Sequence, residues 1–206
     1  MCIALAVASL ASSVVALVQV FAPSLADGNF IAKSSMAGRA VSNMRQPNHL
    51  SSLLLWGIIV AAWLGEDDDE ASAGRRLATW SFALLFVFGV VLSASRTGAI
   101  GTGVLTVWAL LDRRLSRPTR WLLGLMPLFY LAFWLGNSAW ADYTHHVFGG
   151  ETRFSGQGDI SSSRYAIWRN TIELIKMHPW FGVGFGEFNF AWTLTCLLYT
   201  SDAADE

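Results

Sequence analysis

The sequence predicts an all-α, polytopic integral membrane protein with about five transmembrane helices and an outer loop that carries an amphipathic helix. Three observations predict it. The 206 residues are 53% hydrophobic and 14% charged, with a mean hydropathy of +0.43, where a soluble domain carries roughly 25% charge. Five apolar runs recur with polar connectors between them. One connector, 112–120 (DRRLSRPTR), holds four arginines in nine residues. The same numbers exclude a disordered chain. A net charge of −1 offers no basic surface for nucleic acid. Cys2 and Cys196 form no disulfide framework, metal motif or redox motif.

A helix that crosses a bilayer needs about 17–25 mostly apolar residues. Residues 1–22 carry no charge and form the first span; Ser24-Leu25-Ala26 would pass for a signal-peptidase site, but no Lys or Arg precedes the run. The further spans are 50–65, 77–95, 97–111 and 121–136, so that 1–136 forms a transmembrane bundle. Runs 50–65 and 97–111 are short enough for buried helices of a soluble protein, and their recurrence among the others favours spans. Arginines in short loops mark the cytoplasmic side. Connector 112–120 is therefore placed inside, and alternation places 66–76 inside, with 23–49, Arg96 and everything from Asn137 onward outside. Trp63, Trp80, Trp108 and Trp121 then fall at the cytoplasmic ends of their helices, as an interfacial belt requires. Lys33, Arg39 and Arg45 run against this rule and call for another explanation. The acidic run 66–70 reads as a solvated hairpin tip rather than a metal cluster.

Residues 137–195 form a long outer loop segment without a span. Its stretch 148–163 (FGGETRFSGQGDISSS) is Gly-rich and polar and is expected to be loop. Ser161–Ser163 then supply an N-cap. Trp168, Thr171, Ile172 and Ile175 share one helical face, Arg169 and Glu173 pair at i,i+4, and Pro179 stops the helix. The Gly182-Val183-Gly184-Phe185-Gly186 run lacks the preceding strand and the Lys-Ser/Thr of a phosphate loop, and reads as a tight turn. Residues 196–206 (CLLYTSDAADE) resemble a translated sequencing-library adaptor and are expected to be an artefact. Without them the chain has 12 acids against 14 bases, and the gene is expected to be cut off near Thr195; a natural acidic tail is the alternative reading.

Three outer clusters carry candidate chemistry. Residues 38–49 (GRAVSNMRQPNH) hold Arg39, Arg45, Gln46, Asn48 and His49; Pro47 biases Gln46 away from helix, Asn48 is placed to cap the helix that follows, and His49 falls in its first turn. Residues 93–98 (SASRTG) break two spans at Arg96, and Arg153 and residues 161–164 (SSSR) form the third cluster. A lone arginine at a span end is commonly a snorkelling anchor. Arg96, flanked by apolar helices without another charge, points instead to a cavity or an anionic partner. Arginines that converge with Ser, Asn and Gln donors suit a phosphate, such as a lipid-linked diphosphate. No Asp-x-Asp pair lies outside, so no metal or cofactor is called for. His145, His146 and His178 are further possible bases, each more simply read as structural.

These residues carry a resemblance. Residues 38–57 (GRAVSNMRQPNHLSSLLLWG) are similar to the Gln-Pro-Asn signature of bacterial protein O-oligosaccharyltransferases, which belong to the O-antigen ligase and polymerase superfamily. Residues 93–98 resemble that superfamily's Ser-x-Ser-Arg break, and 162–188 resemble its outer-loop pattern of Arg, Trp, helix, Pro and Gly-x-Gly. The resemblance implies a metal-independent glycosyltransferase of the bacterial inner membrane. It would move a glycan from undecaprenyl diphosphate, at the periplasmic face, to a protein Ser/Thr hydroxyl, a lipid A core sugar or a growing polysaccharide. It further implies that Arg96 and Arg164, with Arg45 as a weaker candidate, grip the diphosphate, and that Gln46, Asn48 and His49 orient donor or acceptor. Gln46 and His49 are the catalytic candidates; the family's expected histidine lies beyond the Gly-x-Gly turn, where residues 196–206 stand, and the role does not pass to His178. The chain as written is expected to be inactive alone. A polytopic transporter or flippase for an anionic lipid is the alternative reading; it would need polar residues through the spans, which are scarce.

Overall fold

The computed structural model describes residues 1–34, 36–66, 73–154, 160–184, 186–188, 190 and 191, and for 152–154 and 160–166 the backbone alone. All regular structure among the described residues is helical. The chain divides into two compact units, Met1–Ser155 and Gly156–Glu206.

The first unit holds α1 (Cys2–Phe21), α2 (Pro47–Glu66), α3 (Ala73–Ser93), α4 (Arg96–Leu111), α5 (Arg117–Gly124), α6 (Met126–Thr144) and α7 (Gly149–Phe154). α1, α2 and α3 are each long and apolar enough to cross a membrane, and α5 with α6 passes only as a pair bent by 42°. α4 has 16 residues, about 24 Å of helix against a hydrocarbon core of about 30 Å. Among the described residues, three helices, or four with the bent pair, have the length and composition of a span, and α4 is a shorter apolar helix beside them, consistent with a polytopic membrane protein.

The core of the unit lies between α2 and α3, where Leu50, Leu54 and Ile58 meet Phe86, Val87 and Val90, all buried. Small residues set the helix spacing. A Cβ on Gly57 would come within 2.6 Å of Ser9 Oγ, and one on Gly89 within 2.7 Å of Leu54 Cδ1. Ser9 and Ser13 of α1 are buried; their hydroxyls donate to the Leu53 and Ser9 carbonyls at 3.1 and 2.8 Å. Close backbone approach with hydroxyls bonded to carbonyls is how helices associate where no water drives them together. The opposite face of α1 exposes Ile3, Val7, Leu10 and Val14 at helical spacing, an apolar stripe suited to lipid.

The fifth run does not form one straight helix. Pro127, in the first turn of α6, lacks an N–H, and its ring excludes the carbonyl four residues back from the helical ladder. That carbonyl belongs to Leu123. Thr106 Oγ1 of α4 donates to it at 3.0 Å. The helix therefore breaks at Leu125, and a neighbouring hydroxyl satisfies the group the proline releases.

α6 then runs past Asn137 to Thr144 rather than ending at residue 136. Asn137 is tolerated inside because its Nδ2 donates to the Phe133 carbonyl one turn back at 2.9 Å. His145 in the left-handed region ends the helix. The expected loop from residue 148 opens instead with α7, fixed by buried Phe148, by Gly149 N–H donating to the Gly38 carbonyl at 3.0 Å, and by a hydrogen bond from Ser138 to Glu151.

At the other end of the bundle, Glu66 is not part of a solvated tip. It closes α2, and its carboxylate accepts from the N–H and hydroxyl of Ser116, the N-cap of α5, each at 3.0 Å. Residues 67–70, the rest of the acidic run, lie outside the described residues. Trp63 and Trp108 sit in the last turns of α2 and α4, Trp80 in the first half of α3, and Trp121 in the middle of the short α5.

The second unit holds α8 (Ile160–Met177). It begins before Ser161–Ser163, which are therefore helical rather than caps, and it ends two residues before Pro179. Arg169 pairs with Glu173 at 3.5 Å. Trp168, Ile172 and Ile175 are exposed along one face. Gly182, Gly184 and Gly186 all have positive φ, so the glycine run is a backbone turn, as its spacing suggested. Residues 192–206, which include the adaptor-like stretch, lie outside the described residues.

Candidate functional site

The candidate site lies where α1 and α3 end and α2 and α4 begin. It rests on a folded loop, and one buried residue organises that loop. Gln19, 6% exposed in the last turns of α1, accepts the N–H groups of Val41 and Ser42 at 2.9 and 2.7 Å and donates to the Ala32 carbonyl at 2.6 Å. Asn43 accepts from Ala32 N–H at 2.9 Å and donates to the Phe30 carbonyl at 2.8 Å. Asp27 gathers the N–H groups of Asn29, Phe30 and Ile31 on one carboxylate oxygen. These bonds, led by that of Ile31, hold its pKa below the ordinary value of 3.8.

Arg39 is a strut of this loop. The last four carbonyls of a helix lack partners inside it. At the end of α3, Ala94 N–H serves the Val91 carbonyl at 3.0 Å and Ala40 N–H serves that of Leu92 at 2.9 Å. Arg39, 7% exposed, serves the final carbonyl of α3 and the one just beyond it, with Nε on the Ser93 carbonyl at 3.1 Å and Nη2 on that of Ala94 at 3.3 Å. A cation at a helix C-terminus is also favoured by the helix dipole. This explains one of the three cations that ran against the loop-charge rule. Gly38, at φ +67°, makes the turn before it, and no Cβ fits there beside the Val147 carbonyl.

The loop delivers the chain to α2 through Arg45, which is left-handed at φ 54°. Gln46 accepts the first helical bond, from Leu50 N–H at 3.1 Å, and Pro47 opens the helix. Proline suits that position because its missing N–H would be unpaired there anyway. Asn48 is consequently the second helical residue and not the cap that its sequence position suggested. Its side-chain oxygen reaches sideways to α4, where Ser95 Oγ donates to Asn48 Oδ1 at 2.8 Å. Ser95 caps α4 by accepting Gly98 N–H at 3.2 Å. Ser51 Oγ lies 3.1 Å from Ser95 Oγ and 2.9 Å from the Asn48 carbonyl, so its one proton serves either. Gly98 lets the helices close, since a Cβ there would come within 2.6 Å of Val90 and 2.9 Å of Ser51.

Two helix N-termini are thereby bonded side by side. Around them Arg45, Gln46, His49 and Arg96 are exposed and Asn48 is half-buried. Helix N-termini present unpaired N–H groups and positive dipole ends, and guanidinium groups add fork-shaped donors. The chemistry suits an anion with several oxygens. Among the described residues no group of His, Cys, Asp and Glu could hold a metal ion. Arg164 lies in α8, in the second unit, and its side chain, like that of Arg153, is outside the described residues. His145 and His146 follow α6, and the His146 ring packs 5.1 Å from that of Trp140. His178 follows the last turn of α8.

Sequence reasoning missed three residues that build the site: Gln19, Ser51 and the structural role of Arg39. Gln19 had a signal, as a long amide in a run otherwise free of large polar groups. Ser51 had none.

The model of the O-antigen ligase family matches residues 80–201, more than half of the chain. The chain belongs to the O-antigen ligase family. A model described as protein glycosylation ligase matches residues 40–64. The bond between Asn48 and Ser95 thus joins the two matched regions of this O-antigen ligase family member. The general O-oligosaccharyltransferase of Acinetobacter baylyi is 25% identical over 161 residues, which are 74% of this chain and 27% of that protein. The chain therefore spans about a quarter of the length of the curated relative it matches. No solved structure matches.

Proposed function

We propose that this chain is the donor-binding part of a glycosyltransferase that moves a glycan from undecaprenyl diphosphate to a protein Ser/Thr hydroxyl or a lipid A core sugar. The reaction would take place at the periplasmic face of the bacterial inner membrane. The observation that carries the reading is the paired start of α2 and α4, with Arg96 next to the Ser95 cap and Arg45 just ahead of α2. In the reaction the acceptor oxygen bonds to the anomeric carbon as that carbon's bond to the diphosphate breaks. The departing diphosphate takes the electron pair, and a base takes the acceptor's proton. Charge develops on the diphosphate, where preorganised N–H and guanidinium donors act most strongly. Arg96 and Arg45 grip the diphosphate. Gln46 and His49 orient donor or acceptor beside it. Asn48 acts by holding the two helix starts together. Arg164 is carried as a further grip residue by the family pattern alone. The arginine-rich connector 112–120 supports placing the paired helix starts on the periplasmic side.

The test is glycan transfer by the full-length protein that carries this segment, reconstituted with an undecaprenyl-diphosphate-linked glycan. Arg96→Ala is expected to lower transfer by at least about a hundredfold, the loss seen when a transition-state donor is removed. Normal transfer by a protein with both Arg96 and Arg164 changed to Ala would overturn the diphosphate grip. Transport of the lipid without transfer would favour the flippase reading.

A further inference from the structure

At the opposite end of the bundle from the paired helix starts, a cavity of about 420 Å³ opens between the end of α4 and α5. Its walls are apolar, formed by Ala109, Leu110, Gly124 and Leu125, and its rim carries Arg117, Arg120 and Trp121. We propose that this cavity is a binding site for an anionic phospholipid. The phosphate would sit on Arg117 and Arg120, and the upper part of an acyl chain would lie in the apolar cleft.

Arg120 is pre-set for the role, because its Nε donates to the Ala109 carbonyl at 3.2 Å and so fixes the guanidinium at the rim. Arg117 is exposed. Asp112 faces Arg120, yet its oxygens are engaged elsewhere: Oδ1 accepts Arg114 N–H at 2.9 Å and Oδ2 accepts Trp108 Nε1–H at 3.2 Å. Arg113 and Arg114 raise the positive charge of the same connector. Trp121, 65% exposed, suits the headgroup level. Basic pockets between membrane helices on the cytoplasmic side bind anionic lipid headgroups. The site rests on placing connector 112–120 at that side, and not on the glycan-transfer reading.

The probe is phosphatidylglycerol, added to the whole chain in mild detergent and followed by native mass spectrometry, with phosphatidylcholine and inorganic phosphate as the other arms. One phosphatidylglycerol is expected to be retained in clear preference to phosphatidylcholine, and millimolar phosphate is expected not to displace it. Arg117→Gln should lower retention about fivefold, the effect of one cation near a membrane surface. Gly124→Phe should lower it at least as much without changing charge, because a Cβ at Gly124 meets nothing within 4 Å and a ring there would fill the cleft. Equal retention of phosphatidylcholine would overturn the proposal. So would displacement by phosphate, which marks a free-anion site. Retention unchanged by Gly124→Phe would overturn it too, since attraction to the connector as a whole would then account for binding.

Discussion

Ser95 donates its hydroxyl proton to Asn48 across 2.8 Å, and through that bond the first turns of α2 and α4 become one surface. The partners lie 47 residues apart. Ser95→Ala removes both this bond and the α4 cap, and is expected to lower stability by about 1–2 kcal/mol. Asn48→Ala removes the bond alone and should cost about 1 kcal/mol. Measured by thermal unfolding in detergent, the double variant should lose less than the two single losses combined. Simple additivity would mean that the bond does not couple the helices.

Arg39→Lys should fail to replace Arg39. The planar fork reaches the Ser93 and Ala94 carbonyls together, and a lysine ammonium offers one point of contact in its place. The expected loss is about 1.5–3 kcal/mol for a charged hydrogen-bonded group, read as a fall in melting temperature. An unchanged melting temperature for Arg39→Lys would refute the strut.

Glycines at two places should behave oppositely. Gly38→Ala meets the Val147 carbonyl at a backbone angle that disfavours any side chain, and should abolish the folded state. Gly103→Ala in α4 meets nothing within 4 Å. It should hold or raise stability by up to about 1 kcal/mol, because alanine gives up less chain entropy in a helix. Expression and melting temperature of the two variants, side by side, check the contrast.

Thr106→Val leaves the Leu123 carbonyl without its hydroxyl donor. A loss of about 0.6 kcal/mol is expected, the average for such bonds between membrane helices. With Pro127→Ala the helix can bond that carbonyl itself, so the cost of Thr106→Val should shrink. An equal cost in both backgrounds would disconnect the hydroxyl from the break.

Asp27 supplies a pH dependence. Its folded pKa lies below 3.8 because its charged form accepts the N–H groups of Ile31, Phe30 and Asn29. Its contribution is therefore complete above the unfolded value and fades as pH falls through the lower folded value. Protection of the amides of residues 29–31 from hydrogen exchange, taken relative to their intrinsic rates at each pH, should fall on acidification below about pH 4. Asp27→Asn should flatten that dependence.

The helices were legible because apolar runs bounded by charge leave few alternatives. The break at 93–98 was legible for a related reason: Ser95 and Gly98 are a cap and a close-packing residue in the middle of apolar sequence. The bend at Leu125 was not, although Pro127 stood in view, since whether a proline bends a helix or ends it depends on a partner such as Thr106, 17 residues away in the chain. α6 overran its expected end because Asn137 satisfied itself locally, and side-chain bonds of that kind leave no periodic trace. Of the candidate site, the exposed residues Arg45, Gln46, His49 and Arg96 could be picked out by type. The buried frame beneath them could not, because the meaning of Gln19 and Arg39 lies in carbonyls brought near only by folding.

Gln19 holds both sides of the loop that leads into α2, and this has a consequence for the order of biogenesis. During synthesis the loop emerges directly after α1 and finds its template already made. The segment just before α2 can therefore take shape while α3 is still unmade. Only when residues 91–95 leave the insertion machinery does Arg39 find its carbonyls and Asn48 its serine. The half-built site then waits on the end of α3 and the start of α4, and a pause between α2 and α3 would leave a shaped loop with a buried-type arginine still in water.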